Sequence, residues 1–170
     1  LLDPGAQTPY STVDAASFET FPNGARVRDA FVHPSYTYTL TGALIDSSNV
    51  AVSKFSERVS AQTRYDYLTD FGIGGGVDVG YPSTASGYIR PVDEWDNQTL
   101  YNTSFGQGLL TTVPELAQAY TAITNDGVRV PLSLVESCTT ADGTVIEPEL
   151  PDPVRVVSED TADEVSTMLE

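Results

Sequence analysis

Ser47-Ser48-Asn49 sets a hydroxyl and a carboxamide two positions apart. A hydroxyl both donates and accepts, so it passes a proton on. A carboxamide donates and accepts from fixed atoms, so it holds a peptide carbonyl and a neighbouring ammonium. In a tight turn between helices, residues i and i+2 point to one side and i+1 to the other. That geometry brings Ser47 and Asn49 to one wall of a cleft and turns Ser48 away. By itself the triplet is commonly a helix cap, so its neighbours decide.

The turn needs a helix on each side. Leu40 to Ile45 reads as a short helix, broken at Asp46-Ser47-Ser48-Asn49, whose side chains compete for helical hydrogen bonds. A second helix follows, with Val52, Phe55 and Val59 on one face. Tyr65 to Phe71 continues helical to Gly72. From Gly74-Gly75-Gly76 to about Leu100, through Pro82, Gly87 and Pro91, the chain reads as loop. Thr112-Val113-Pro114-Glu115 is a capping box. Its helix carries Leu116, Ala119, Tyr120 and Ile123 on one face and stops at Asn125-Asp126-Gly127. Val128 to Val130 and Leu132 to Val135 read as strand, Asp142-Gly143 as a hairpin turn into Thr144 to Ile146. Ser158 caps a last helix with Ala162, Val165 and Leu169 on its apolar face. The first 29 residues are rich in turn formers, with one short strand pair around Phe18 to Val27.

Composition removes whole classes of chemistry. With 8 Lys+Arg against 24 Asp+Glu the net charge is −16 over 170 residues. That balance opposes a nucleic-acid grip or a polybasic membrane surface. Cys138 is the one cysteine and His33 the one histidine, so Cys₄, Cys₂His₂ and His₃ zinc sites are excluded, and no cofactor or metal is expected. His33, between Val32 and Pro34, reads as an ordinary surface or half-buried histidine that nothing local orients. The glycines at 72 to 76 lack a following Gly-Lys-Ser/Thr, and Val77 stands where G-x-G-x-x-G needs its last glycine. Asp93-Glu94-Asp96 and Glu159-Asp160-Asp163-Glu164 lack the alternation of a calcium loop. Asn97 and Asn102 match the short glycosylation pattern.

Thr41-Gly42-Ala43-Leu44-Ile45-Asp46-Ser47-Ser48-Asn49-Val50-Ala51-Val52-Ser53-Lys54-Phe55 resembles the second-motif segment of penicillin-binding protein transpeptidase domains. Tyr65 to Gly74, Ser104 to Leu109, Thr111 to Tyr120 and Asn125 to Pro131 resemble the blocks that follow it, in an order closest to class B division and elongation proteins. The resemblance covers Asp29 to Glu170. It implies a D,D-transpeptidase that cross-links peptidoglycan stem peptides and is acylated by β-lactams, with motifs S-x-x-K, S-x-N and K-T-G. Ser47 and Asn49 match the second motif. By analogy Ser47 relays a proton, Asn49 binds the substrate amide and steadies the first-motif lysine, and Ser48, the middle position, is a substrate contact.

The other two motifs are missing. Lys54 is the sole lysine, with Ala51 three residues before it and Phe55 after it. The first motif is expected just before Leu1 and the third just after Glu170, which makes the chain an internal fragment, inactive alone. The fold expected is α+β and helix-dominated, the helical lobe of the penicillin-binding protein and serine β-lactamase-like fold with its central sheet largely missing. Residues 1–170 form one partial domain: lead-in 1–30, helical lobe 31–127, hairpin and last helix 128–170. Helices that would cover a sheet then expose apolar surface, so self-association is expected. The resemblance also implies an extracytoplasmic location, a membrane-anchored parent, stem peptides and β-lactams as ligands, and division or elongation proteins as partners. The alternative is a non-catalytic lobe that binds cell-wall or division proteins. A serine β-lactamase ranks below both, because it lacks the Ser104 to Tyr120 block.

Overall fold

The structure is a computed structural model and describes residues 1–79 and 85–170; Pro82 of the expected loop lies outside the described residues. In chain order the elements are β1 Thr12–Ala15, β2 Phe18–Thr20, β3 Arg26–Arg28, β4 Tyr36–Thr39, α1 Leu40–Ile45, α2 Asn49–Ser56 and α3 Ala61–Asp70. Then come β5 Tyr88–Ile89, α4 Asn97–Asn102, β6 Leu109–Leu110, α5 Val113–Thr124, β7 Val128–Arg129, β8 Cys138–Thr139, β9 Val145–Ile146, β10 Val154–Arg155 and α6 Glu159–Met168. The described sheets are all two-stranded. The chain divides into two compact units, residues 1–66, 90–109 and 163–170, and residues 67–89 and 110–162.

The first unit is built around α2. Val50, Ala51, Ser53, Phe55 and Ser56 are all buried. The helix is therefore enclosed rather than amphipathic: Val52 is only half-buried, and Val59 of the expected face lies beyond the helix end. Enclosure requires its hydroxyls to find partners. Ser56 Oγ donates to the Ser53 carbonyl at 2.6 Å, and Ser53 Oγ lies 3.3 Å from Ser104 Oγ. Phe21, Val27, Tyr38, Leu40 and Tyr101 pack around it, with the Phe21 and Tyr101 rings stacked at 3.9 Å.

The expected strand pair is β2 with β3, in register Phe18↔Arg28 and Thr20↔Arg26. The pairing of β1 with β4, Thr12↔Thr39 to Ala15↔Tyr36, was not legible. The expected loop also holds α4, started by Asp96, whose carboxylate accepts from the Thr99 amide at 2.6 Å. A helix this polar is held by neighbours. Gln98 both donates to and accepts from the Arg26 backbone, each at 3.0 Å. Arg64 binds the Leu100 carbonyl, Thr103 Oγ1 and the Ser56 carbonyl.

The second unit is organised by α5. Its capping box is complete, and Glu115, Gln118 and Ala122 are the residues it buries. Of the expected apolar face, Leu116 and Tyr120 are 46% and 54% exposed while Ala119 and Ile123 are half-buried, and Val113 beside them is 83% exposed. Ala122 packs with Val156, Val157 and Ala162, and Tyr67 and Phe71 lie against them. Gly127, at φ +84°, closes α5 where a Cβ would sit 2.2 Å from the Val157 carbonyl oxygen. β7 pairs with β10, and β8 with β9 across the Asp142-Gly143 turn. Leu132 to Val135 is not a strand. Ser133 Oγ bonds both the carbonyl and the amide of Val135, which curls the segment on itself. Ser158 caps α6 as expected, its Oγ accepting from the Thr161 amide at 3.2 Å. Ala162 and Met168 are the buried apolar residues of that helix, while Leu169 of the expected face is exposed.

Candidate functional site

The turn between α1 and α2 brings Ser47, Ser48 and Asn49 to the border of one cleft. α1 ends by two reversed hydrogen bonds, Ser48 N to the Ala43 carbonyl at 3.0 Å and Ser47 N to the Leu44 carbonyl at 3.1 Å. That closure puts Ser47 in the left-handed region, at φ +52°. For a residue with a Cβ this conformation costs about 1–2 kcal/mol. Glycine would sit there without strain. Ser47 is exposed and borders a cleft of about 440 Å³ that is also lined by Asp46, Asn49, His33, Tyr36 and Phe31.

Ser48 also lines this cleft but is only 2% exposed. Its Oγ accepts from the Ala51 amide at 3.1 Å, which starts α2, and donates to Asp29 Oδ2 at 2.8 Å. Its hydroxyl is thus engaged in holding the turn, at the edge of the cleft where a substrate contact is expected. Asn49 is half-buried, and its Nδ2 donates to the Arg28 carbonyl at 3.1 Å. A carboxamide nitrogen carries two hydrogens, so one bond leaves donor capacity. On its other side Asn49 borders a second groove of about 430 Å³, flanked by Arg26, Arg28, Gln98 and Gln107.

Asp29, which follows β3, is what pins the turn. Besides Ser48, its carboxylate accepts from the Val50 amide at 2.9 Å and from His33 Nε2 at 2.9 Å. His33 Nδ1 lies 2.7 Å from the Pro34 carbonyl oxygen, and the ring stacks on Tyr36 at 5.2 Å. The histidine expected to lack local orientation is therefore held from both ring nitrogens. The bond to Asp29, then that to Pro34, raises its pKa. Nearby, burial followed by the charge of Asp46 pushes the Tyr38 phenol up. Asp29 was missed as a site residue. Its signal was the spacing Asp29-x-x-x-His33-Pro34, an acceptor four residues before an imidazole.

The remaining candidates do not join this site. Lys54 Nζ contacts the Glu19 carboxylate and the Asp14 carbonyl, each at 2.7 Å. Asp96 caps α4, and Glu159 and Asp160 lie in the first turn of α6. Asn97 Nδ2 donates to the Asn23 carbonyl at 2.6 Å, and Asn102 Oδ1 accepts from Gln98 at 2.9 Å. Cys138 is exposed on β8. Among the described residues, no group of three or more His, Cys, Asp or Glu is arranged to hold a metal. No helix among them is long and apolar enough to cross a membrane.

Comparison with known proteins gives this geometry its context. The family model for the penicillin binding protein transpeptidase domain matches residues 1–170. Penicillin-binding protein PbpB of Mycobacterium tuberculosis is 41% identical over 146 residues, 86% of this chain and 22% of that protein. The probable peptidoglycan D,D-transpeptidase PenA of Neisseria gonorrhoeae is 36% identical over 143 residues, 84% of this chain and 22% of that protein. The crystal structure of penicillin binding protein 3 from Mycobacterium tuberculosis, complexed with aztreonam, superposes with a TM-score of 0.93 at 37% identity. That likeness covers 99% of this chain and 37% of that one. The chain thus spans about a fifth of the length of these curated relatives.

Proposed function

The chain belongs to the penicillin-binding protein transpeptidase family, and from that membership we propose that it forms one wall of a serine-type D,D-transpeptidase site. The whole protein cross-links peptidoglycan stem peptides through an acyl-enzyme that β-lactams also form. Residues 1–170 are one part of its transpeptidase domain, working outside the cytoplasmic membrane in a protein anchored to it. Division or elongation proteins are its partners.

Ser47 is the proton relay and Asn49 the group that binds the substrate amide and steadies a catalytic lysine from another segment. Ser48, the middle position, is the remaining substrate contact at this cleft, and its hydroxyl also fixes the turn. One observation carries this reading: at the S-x-N of a chain from this family, Ser47 is held at φ +52° with its side chain on an open cleft beside Asn49. A strained serine where glycine is cheaper is a reason to look for a use of its hydroxyl.

Labelling with a fluorescent penicillin tests the reading. In the whole protein, Ser47→Ala or Asn49→Ala should slow acylation by about 10²-fold or more, the scale of a lost proton-transfer group, without unfolding the protein. Unchanged acylation in both variants removes them from the site. The 170-residue chain alone has no Ser-x-x-Lys and should stay unlabelled. Stable labelling of it would refute the assignment of the nucleophile to another segment.

A further inference from the structure

His33 stands beside the cleft but outside the S-x-N triplet. Its ring nitrogens face two oxygens that can only accept: the Pro34 carbonyl at 2.7 Å from Nδ1 and the Asp29 carboxylate at 2.9 Å from Nε2. A neutral imidazole carries one N–H, an imidazolium two. The observed geometry therefore satisfies both contacts only when the ring is protonated. The same Asp29 oxygen, Oδ2, also accepts from Ser48 Oγ, while Oδ1 accepts from the Val50 amide. One carboxylate links the imidazole to the turn that carries Ser47 and Asn49.

We propose that His33 is a proton-dependent clasp on this turn: charged, it ties the loop after β3 to the turn; neutral, it must release either Asp29 or Pro34. It is a positioning residue, acting on Ser47 and Asn49 through Asp29. Its role in the reaction rests on the functional reading above; the clasp itself rests on the geometry.

The groups around the ring favour its charged form. Asp29 follows β3, Asp46 ends α1, and Tyr36 and Tyr38 of β4 face it with their rings. Asp29 and Asp46 both act to raise its pKa. A histidine ordinarily titrates near about 6.5. The clasp is therefore fully closed below that value and opens as pH rises through the higher value of the folded protein. The proton released goes to solvent, since the ring is partly exposed.

The chain has a single histidine, so its titration is read without ambiguity. In an NMR pH titration of the 170-residue chain, the His33 ring proton should show a midpoint above the ordinary histidine value. The amides of Ser47, Ser48, Asn49 and Val50 should shift with that same midpoint. In Asp29→Asn the ring midpoint should fall and the turn amides should stop following it. Should that variant not fold, His33→Gln, at the partly exposed rim, must abolish the step in the turn amides. Turn amides that stay flat through the His33 titration, or that keep their step in His33→Gln, overturn the clasp. In the whole protein, penicillin acylation should decline on the alkaline side of the His33 midpoint, and His33→Gln should remove that limb. His33→Arg, a permanent cation, should keep the low-pH rate while losing the limb. A limb retained in His33→Gln, with Ser47→Ala still slow, overturns the clasp's part in the reaction. A normal rate in Ser47→Ala instead refutes the functional reading and leaves the NMR result standing.

Discussion

Two carboxylates, one in each unit, organise backbone around themselves, and they do it differently. Glu115 on α5 is fully buried. Its Oε1 accepts from the amides of Gly76 and Gly87 at 2.7 and 2.9 Å, and its Oε2 from the Thr112 amide at 2.7 Å and Thr111 Oγ1 at 3.2 Å. Asp29 also gathers an amide and a hydroxyl, but its last partner is the partly exposed imidazole beside a cleft. Every donor to Glu115 among the described residues is an uncharged group that does not titrate in the working range. One donor to Asp29 does. A closed set of hydrogen bonds serves as an anchor, whereas a set that includes a titratable group at the solvent edge responds to its surroundings.

The largest predicted effect tests the anchor. Glu115→Ala strands the amides of Gly76, Gly87 and Thr112 and should cost about 3–5 kcal/mol of unfolding free energy in urea titration. A cost below about 1 kcal/mol would mean that water replaces the carboxylate. The two sites should also respond to pH with opposite sign. For Glu115, burial opposes the charge, but the hydrogen bonds from Gly87, Thr112, Gly76 and Thr111 outweigh it and lower the pKa below its usual 4.5. Its stabilisation is therefore present above that value and lost as pH falls through the depressed one. His33 has a raised pKa, so its contribution is present at low pH and lost as pH rises. Stability curves of Glu115→Gln and His33→Gln, each subtracted from wild type, should separate at opposite ends of the pH range.

Asp29→Asn is expected to cost less, about 1–2 kcal/mol, because an amide oxygen still accepts from Val50 while its nitrogen faces donors. Ser47→Gly sharpens the comparison from the other side. Relief of the left-handed strain should leave stability unchanged or raise it by about 1 kcal/mol, while acylation of the whole protein falls as in Ser47→Ala. A variant that gains stability and keeps its rate would separate the strain from the chemistry.

What was legible in the sequence is local. The limits of α1, the start of α5 and the Asp142-Gly143 hairpin are each written within about six residues, because caps and turn glycines act on their own neighbourhood. The illegible parts are those decided at long range. α4 has a weak pattern and stands because Gln98 meets the backbone of β3. β1 is too short to announce itself without β4. Asp29 is an ordinary acidic residue until the fold brings it to Ser48, 19 positions away. The order of segments around the turn gave the family resemblance, and no local rule could have supplied it.

The smallest effect on stability concerns the outer face of α5. The polar residues Glu115 and Gln118 of this helix face inward because their partners are there: Gln118 donates to the Val130 carbonyl and accepts from Arg129. Satisfying them rotates Val113, Leu116 and Tyr120 outward, a stripe at i, i+3 and i+7. An exposed stripe of that kind lowers its free energy by meeting another apolar surface. The 170-residue chain should therefore sediment with a concentration-dependent mass. Leu116→Ser combined with Tyr120→Ser should abolish that dependence while changing unfolding free energy by no more than about 0.5 kcal/mol per site, since neither side chain is in the core. A chain that stays monomeric at high concentration would show that the stripe is tolerated in water. A large loss of stability in the double variant would show instead that both side chains are packed within the chain.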